Sequence, residues 1–201
     1  INNEHTAGPQ LIGFDYQFYY FMYLVLDLNP GEKIGFEVLD DIHIELPDGS
    51  IELLQTKHTI QKTSKGEIVN LTERDSDLWK TISNWLLFIN NSKDKDEYLN
   101  KTVFKLVTNK SINNNTFFEN IIKYQRNEIK IKAFSDYIKN LHSNTDSVDI
   151  KNQIGSLKKL DNKIKSKFIN QIQIISEPEN IITLVKKRIH KLIVKEERVN
   201  D

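Results

Sequence analysis

Hydrophobic and polar residues change their spacing along the first sixty positions of the chain. From about Gln10 to Asn29 the apolar side chains recur at helical intervals, and Asn29-Pro30-Gly31 predicts the end of that helix. Segments with the length and alternation of strands follow, namely Lys33 to Val38, Asp41 to Leu46 and Ile51 to His58. Pro47-Asp48-Gly49-Ser50 predicts a turn between the second and third strands.

The remaining pattern predicts one more helix and strand, followed by a mainly helical region. Apolar spacing predicts a helix over about Ser76 to Asn90, and Lys101 to Thr108 has the character of a buried strand. Further helical segments are predicted at Phe117 to Tyr124, Glu128 to Leu141, Val148 to Leu160 and Pro178 to Val194, with a short strand at Gln171 to Ile175. The order predicts a mixed α/β fold, α-β-β-β-α-β, with a core over residues 1–110. Residues 111–201 are predicted to form a helical, basic extension of the same domain.

Composition restricts the class of protein. The 201 residues are 38% hydrophobic and 28% charged, as in globular proteins, and no apolar run is long enough to span a membrane. Cysteine is absent, which excludes disulfides and thiolate metal sites. We expect a cytoplasmic protein, since no signal peptide is recognisable. Because the first residue is isoleucine, we also expect a piece of a longer protein.

The charges are unevenly distributed although they sum to zero. Residues 1–100 carry 8 basic and 17 acidic side chains, whereas residues 101–201 carry 20 and 11. This asymmetry is typical of a metal centre flanked by a polyanion-binding surface, but two solvated faces that neutralise each other would give the same counts. If the basic half binds DNA, Lys158, Lys159 and Lys163 are candidates for the contacts.

The strongest candidate chemistry lies on the second and third predicted strands. Gln55 and Lys57 are two residues apart, so they project from one face of a strand, and the turn makes the Asp41 strand its antiparallel neighbour. An acid, an amide oxygen and an ammonium group can therefore converge. Such a trio suits Mg²⁺-assisted phosphodiester hydrolysis, in which Asp41 and Gln55 bind the metal and Lys57 orients water. A solvated sheet surface is the structural alternative.

The other polar and aromatic candidates also have structural alternatives. We expect a structural role for His58 because it points away from the face of Lys57. His43 shares a strand face with Asp41 and Glu45, which indicates either a metal site or a solvated edge. For Trp79, Trp85 and the tyrosines of the first helix we expect core or interface positions, and for Lys80 a surface role rather than a phosphate contact. No nucleotide-binding loop or serine-hydrolase motif is present.

Short segments in a defined order carry a resemblance to a known family. They are Ala7-Gly8-Pro9, Gly13-Phe14-Asp15-Tyr16-Gln17, Asp40-Asp41-Ile42, Gln55-Thr56-Lys57-His58 and Ser76-Asp77-Leu78-Trp79-Lys80-Thr81-Ile82. With this order and spacing the chain resembles the PD-(D/E)XK nuclease superfamily. More narrowly, it resembles the N-terminal endonuclease domain of CD-NTase-associated (CBASS) effector proteins and related bacterial defence nucleases. Residues 106–109 match the closing strand, and the second half of the chain carries no matching motif.

The resemblance implies a Mg²⁺- or Mn²⁺-dependent endonuclease that cuts double-stranded DNA. It places the acidic ligand at Asp41, with Asp40 as the alternative, and the E/Q-x-K pair at Gln55 and Lys57. A glutamine at the first of these positions is neutral, so another acid is expected to help bind the metal. Glu37 on the preceding strand is that candidate.

The family also implies further partners and a mode of activation. A supporting Gln17 on the first helix is expected beside the metal ligands. Cutting is expected to follow homo-oligomerisation through a fused sensor domain, or to need a separate ATPase partner, in anti-phage defence. The rival interpretation is a non-catalytic nuclease-like module that binds DNA or a protein partner.

Overall fold

The computed structural model describes the backbone of residues 7–176 and 180–197, and the side chains of residues 13–176 and 180–194. Within these residues the protein is mixed α/β, with eight helices and a five-stranded mixed sheet. The helices are α1 (Ala7–Val25), α2 (Ser76–Asn91), α3 (Lys95–Lys101), α4 (Thr116–Gln125), α5 (Ile131–Ser143), α6 (Val148–Lys159), α7 (Asn162–Asn170) and α8 (Ile181–Glu197). The strands are β1 (Lys33–Phe36), β2 (Ile42–Glu45), β3 (Ile51–Lys57), β4 (Thr102–Thr108) and β5 (Ile172–Ser176). No helix in this part of the chain is long and apolar enough to cross a membrane.

The strands lie in the order β1-β2-β3-β4-β5. The first three form an antiparallel meander in which Phe36 pairs with Ile42, and Ile42 pairs with Leu54. The predicted turn between β2 and β3 is present. Asp48 accepts hydrogen bonds from the backbone N–H and hydroxyl of Ser50, and Gly49 takes the positive φ of 79° that this turn requires.

The predicted order α-β-β-β-α-β is present, with one additional short helix, α3, before β4. Several boundaries differ from the predictions. Helix α1 ends at Val25 rather than near Asn29, because the next residues form tight turns such as the Asp27 N–H to Leu24 carbonyl bond. Strand β1 ends at Phe36 rather than Val38, where Glu37 adopts a φ of 55°. Helix α8 begins at Ile181, and its predicted start at Pro178 lies outside the described residues.

One compact unit comprises residues 1–69, 107–110 and 175–201, and we call it unit 1. It contains α1, the β1–β3 meander and α8. Its core is made of buried apolar residues from these elements and from the end of β4, namely Tyr16, Tyr20, Ile42, Ile44, Leu54, Val107 and Ile181. Helix α8 packs on α1, and Arg188 fixes this packing: it donates to the Tyr23 hydroxyl at 2.8 Å, lies over the Tyr23 ring and pairs with Asp27.

The other compact unit, unit 2, comprises residues 70–106 and 111–174. Its aromatic core includes Trp79 and Trp85, both fully buried as predicted, and Phe104, whose ring centroid lies 5.3 Å from that of Trp85. This division cuts across the predicted boundary at residue 110, because α2 and α3 group with α4–α7, and β4 and β5 have residues in both units. The nuclease core over residues 1–110 stays a prediction.

Candidate functional site

Two carboxylates lie where β1 and β2 meet. Asp41 immediately precedes β2, and continuing the antiparallel register places it opposite Glu37 on one side and Gln55 on the other. The Glu37 N–H donates to the Asp41 carbonyl at 2.9 Å, so the first of these pairings is formed even though Glu37 is outside β1. Glu37 is exposed and Asp41 is half-buried. The sheet therefore places the two residues opposite each other on neighbouring chain segments.

Gln17 joins these residues from α1. It is 7% exposed, and its Nε2 donates to Glu37 Oε1 and, at 3.3 Å, to the Asp41 carbonyl. A nearly buried amide with two partners has a fixed orientation, because leaving either bond unmade would cost free energy. Helix α1, the segment after β1 and the start of β2 thus meet at the residues that the sequence analysis selected.

Asp41 is oriented by a residue that the sequence analysis did not select. Its Oδ2 accepts the Thr56 N–H at 2.8 Å and the Thr56 hydroxyl at 2.9 Å. Within the described residues, no donor contacts Asp41 Oδ1, which leaves that oxygen available for a cation. Strand alternation assigns Thr56 to the face opposite Gln55 and Lys57, so no pattern in the sequence pointed to this contact.

Gln55 and Lys57 flank Thr56 on β3. The Gln55 side chain is 5% exposed and makes no hydrogen bond among the described residues, while Lys57 is half-buried and has no ion pair there. The chain just beyond Lys57 is held by Asn109, whose side chain accepts the Thr59 N–H at 3.0 Å and donates to the Thr59 carbonyl at 2.8 Å. Both predicted β3 residues therefore have polar groups not committed to other side chains.

The neighbouring candidates have mainly structural surroundings. The His58 ring stacks on Tyr16 with centroids 4.4 Å apart, and burial lowers the pKa of His58. His43 is buried against Gly35 and lies 3.8 Å from a Glu45 oxygen. The described residues contain no group of three or more His, Asp or Glu side chains that could hold a metal ion, at His43 or elsewhere. Asp40 is turned toward the backbone, because its Oδ1 accepts the Asp41 N–H at 3.0 Å.

The donor set at this sheet end is oxygen only. Carboxylate oxygens of Asp41 and Glu37, and the amide oxygen of Gln55, are the type of ligand that Mg²⁺ and Mn²⁺ prefer. Two carboxylates and one neutral amide supply less negative charge than most all-protein metal cages do. The chemistry of the donors fits a magnesium ion that keeps several of its waters.

The three lysines predicted to contact DNA lie in unit 2, and they differ in whether their charge is already paired. Lys158 and Lys159 are exposed in the last turn of α6. Lys163, at the start of α7, pairs with Asp96, which also pairs with Lys167 at 3.2 Å. Ion pairing with Asp96 neutralises Lys163, so it is a weaker candidate for a phosphate contact than the other two.

Comparison with known protein families, with curated proteins and with solved structures finds no match to this chain. We therefore infer the function from the residues and their geometry.

Proposed function

We propose that the protein is a metal-dependent endonuclease domain that cleaves double-stranded DNA. The observation that carries the proposal is the hydrogen-bonded cluster of Gln17, Glu37, Asp41 and Thr56, formed from elements distant in sequence. The cluster leaves Asp41 Oδ1 without a donor among the described residues, and Lys57 follows Thr56 directly on the adjacent strand. Its role in bacterial anti-phage defence, with activation by oligomerisation through a sensor or ATPase partner, is the part of the proposal that follows from family resemblance.

Each residue has a defined role in the proposed reaction. Asp41 Oδ1, Glu37 and the Gln55 amide oxygen would hold Mg²⁺ or Mn²⁺, which supplies Lewis-acid stabilisation and an activated water when bound. Thr56 keeps the Asp41 carboxylate in one rotamer, and Gln17 does the same for Glu37. Lys57 orients the attacking water and offsets the negative charge that develops on the phosphate.

Metal-dependent stability and plasmid cleavage test the proposal together. Mg²⁺ or Mn²⁺ should raise the melting temperature of the parent chain by mass action, and Asp41→Ala should abolish that rise. Glu37→Ala should weaken it, whereas Glu67→Ala, in an exposed loop, should not change it. A metal response that survives both site substitutions would move the metal elsewhere. Plasmid that stays intact in Mg²⁺ and Mn²⁺, with the activating partner regions present, would reject the nuclease.

A non-catalytic binding module is the second candidate. It is favoured by the small number of acids and by the hydrogen bonds through which Gln17 and Thr56 already hold Glu37 and Asp41 Oδ2. If the protein is such a module, the hydrogen bonds of the cluster serve only to hold α1 against the sheet. The parent chain would then show no thermal response to either metal, and Asp41→Ala would lower its melting temperature equally with and without metal.

A further inference from the structure

Four positively charged or protonatable side chains gather where α5 packs on α6 in unit 2. His142 is half-buried in the last turn of α5, and its Nδ1 lies 3.5 Å from Lys158 Nζ. Gly155 is buried beneath it, where an added Cβ would lie 3.5 Å from His142 Nε2. The imidazole therefore lies against α6 at Gly155. We call His142, Lys151, Lys158 and Lys159 the His142 cluster.

The electrostatic surroundings of His142 are cationic. Burial lowers its pKa first, and the charges of Lys158, Lys151 and Lys159 lower it further. On its own helix, Lys139 lies one turn earlier and pairs with Asp136 at 3.1 Å. From α7, Lys165 approaches the Lys158 carbonyl at 3.4 Å. No carboxylate pairs with the three cluster lysines among the described residues.

Helix stability explains only part of this arrangement. Lys158 and Lys159 lie in the last turn of α6, where cations interact favourably with the helix dipole. Lys151 lies near the opposite end of α6, where a cation gains nothing from the dipole. Like charges held together without a counter-ion cost free energy unless an anion neutralises them in the functional state.

We propose that the His142 cluster is a binding surface for the phosphate backbone of duplex DNA. The choice of DNA as the polyanion rests on the proposed function, but the surface itself does not depend on the metal site. The surface differs from the predicted set, since it adds His142 and Lys151 and omits Lys163, which pairs with Asp96. Binding through it should be independent of sequence and strongly dependent on salt, because phosphate contacts release counter-ions.

Equilibrium binding without metal tests the surface separately from catalysis. Anisotropy of a labelled duplex is measured against salt in EDTA, on a Lys57→Ala background so that no DNA is cut. The triple variant Lys151→Gln, Lys158→Gln and Lys159→Gln should reduce the slope of log affinity against log salt by roughly 2 to 3. A matched triple at exposed lysines elsewhere in unit 2, Lys93, Lys123 and Lys132, should keep the parent slope.

A site-specific readout comes from the histidine. The pKa of His142, followed by NMR, should rise when duplex DNA binds, because phosphate oxygens favour the imidazolium. An unchanged slope in the cluster triple, or an unchanged His142 pKa at saturating DNA, would overturn the proposal. Equal displacement of the duplex by poly-glutamate at the same salt would also overturn it, since the partner would then be an acidic protein. If the cluster triple binds DNA more weakly but the parent chain never cuts DNA, the proposed surface would be supported and the nuclease function rejected.

Discussion

Lys57 is the residue whose replacement best separates catalysis from binding. An exposed surface charge is worth less than about 1 kcal/mol, whereas a lysine that orients water and balances transition-state charge should be worth roughly 100-fold in rate or more. Lys57→Ala should therefore fold, bind duplex DNA and metal, and lose cleavage by at least that factor. Lys57→Arg should also be slow, because the guanidinium is larger and stays protonated.

The measurement is plasmid nicking under the conditions in which the parent chain cuts. Lys65→Ala, at an exposed loop lysine of unit 1, is the matched control and should cut at the parent rate. Near-parental cutting by Lys57→Ala would remove this lysine from the reaction.

Gly35 is a second residue whose replacement should change stability measurably, because it pairs with His43 across β1 and β2 and the His43 ring lies against it. A Cβ at Gly35 would lie 2.0 Å from His43 Cε1, so Gly35→Ala should destabilise the protein by about 1–3 kcal/mol or more in urea unfolding. Gly13→Ala meets open space within α1 and should instead stabilise, by up to about 1 kcal/mol. Adding His43→Ala to Gly35→Ala should recover part of the loss; no recovery would mean that the clash is relieved elsewhere.

At the scale of elements, predictability follows the strength of the local pattern. The β1–β3 meander could be predicted because its alternation and its Asp48-Gly49 turn agree with each other. Helix α7 was missed because its sequence is mostly Lys, Asn and Ser, and only Ile164, Phe168 and Ile169 supply an apolar face. Its packing and its cap, not its periodicity, make it a helix.

The cap of α7 is therefore expected to carry much of that helix's stability. Asp161 accepts the backbone N–H groups of Lys163 at 2.9 Å and Ile164 at 3.0 Å. Asp161→Ala should lower the free energy of unfolding by about 0.5–2 kcal/mol, whereas Asp161→Asn, which keeps the cap, should lower it by less. Chemical denaturation of both variants measures the difference. An equal loss in the two would show that charge, not capping, is what Asp161 contributes.

Strand alternation located part of the candidate site for a similar reason. It selects Gln55 and Lys57 from their spacing, and family resemblance adds Glu37 and Gln17. Neither the link from Asp41 to Thr56 nor the positive φ of Glu37 after β1 has a signal in the sequence, because Glu37 is not a glycine and Thr56 lies on the other strand face. Tertiary contacts of this kind cannot be inferred from period alone.

At the scale of the whole molecule, one buried charge couples stability to pH. Lys165 is 3% exposed, and its Nζ lies 3.2 Å from Ser135 Oγ with no carboxylate partner among the described residues. Burial lowers its pKa below the ordinary 10.5. Between the folded pKa and about 10.5 the unfolded chain binds more protons than the native one. The free energy of unfolding that Lys165 contributes therefore rises with pH in that window, and this contribution is lost as pH falls through the window.

Lys165→Met should remove this contribution. Urea unfolding of the parent and the variant, measured from neutral to alkaline pH, should give a stability difference that shifts in favour of the parent as pH rises. Lys123→Met, at an exposed position on α4, is the control and should differ from the parent by the same amount at every pH. A pH-independent difference for Lys165→Met would place the ammonium in contact with water.

The packing of α8 on α1 determines when, during synthesis, the chain can finish folding. Arg188 and Tyr23 are 165 residues apart, and the whole of unit 2 lies between them in the sequence. At about 5–20 residues per second, a ribosome needs roughly 8 to 33 seconds to travel that distance. All of unit 2 is synthesised during this interval, before the α8 segment that packs on α1 exists. Helix α1 therefore reaches its native surroundings only after residues 70–174 have been synthesised.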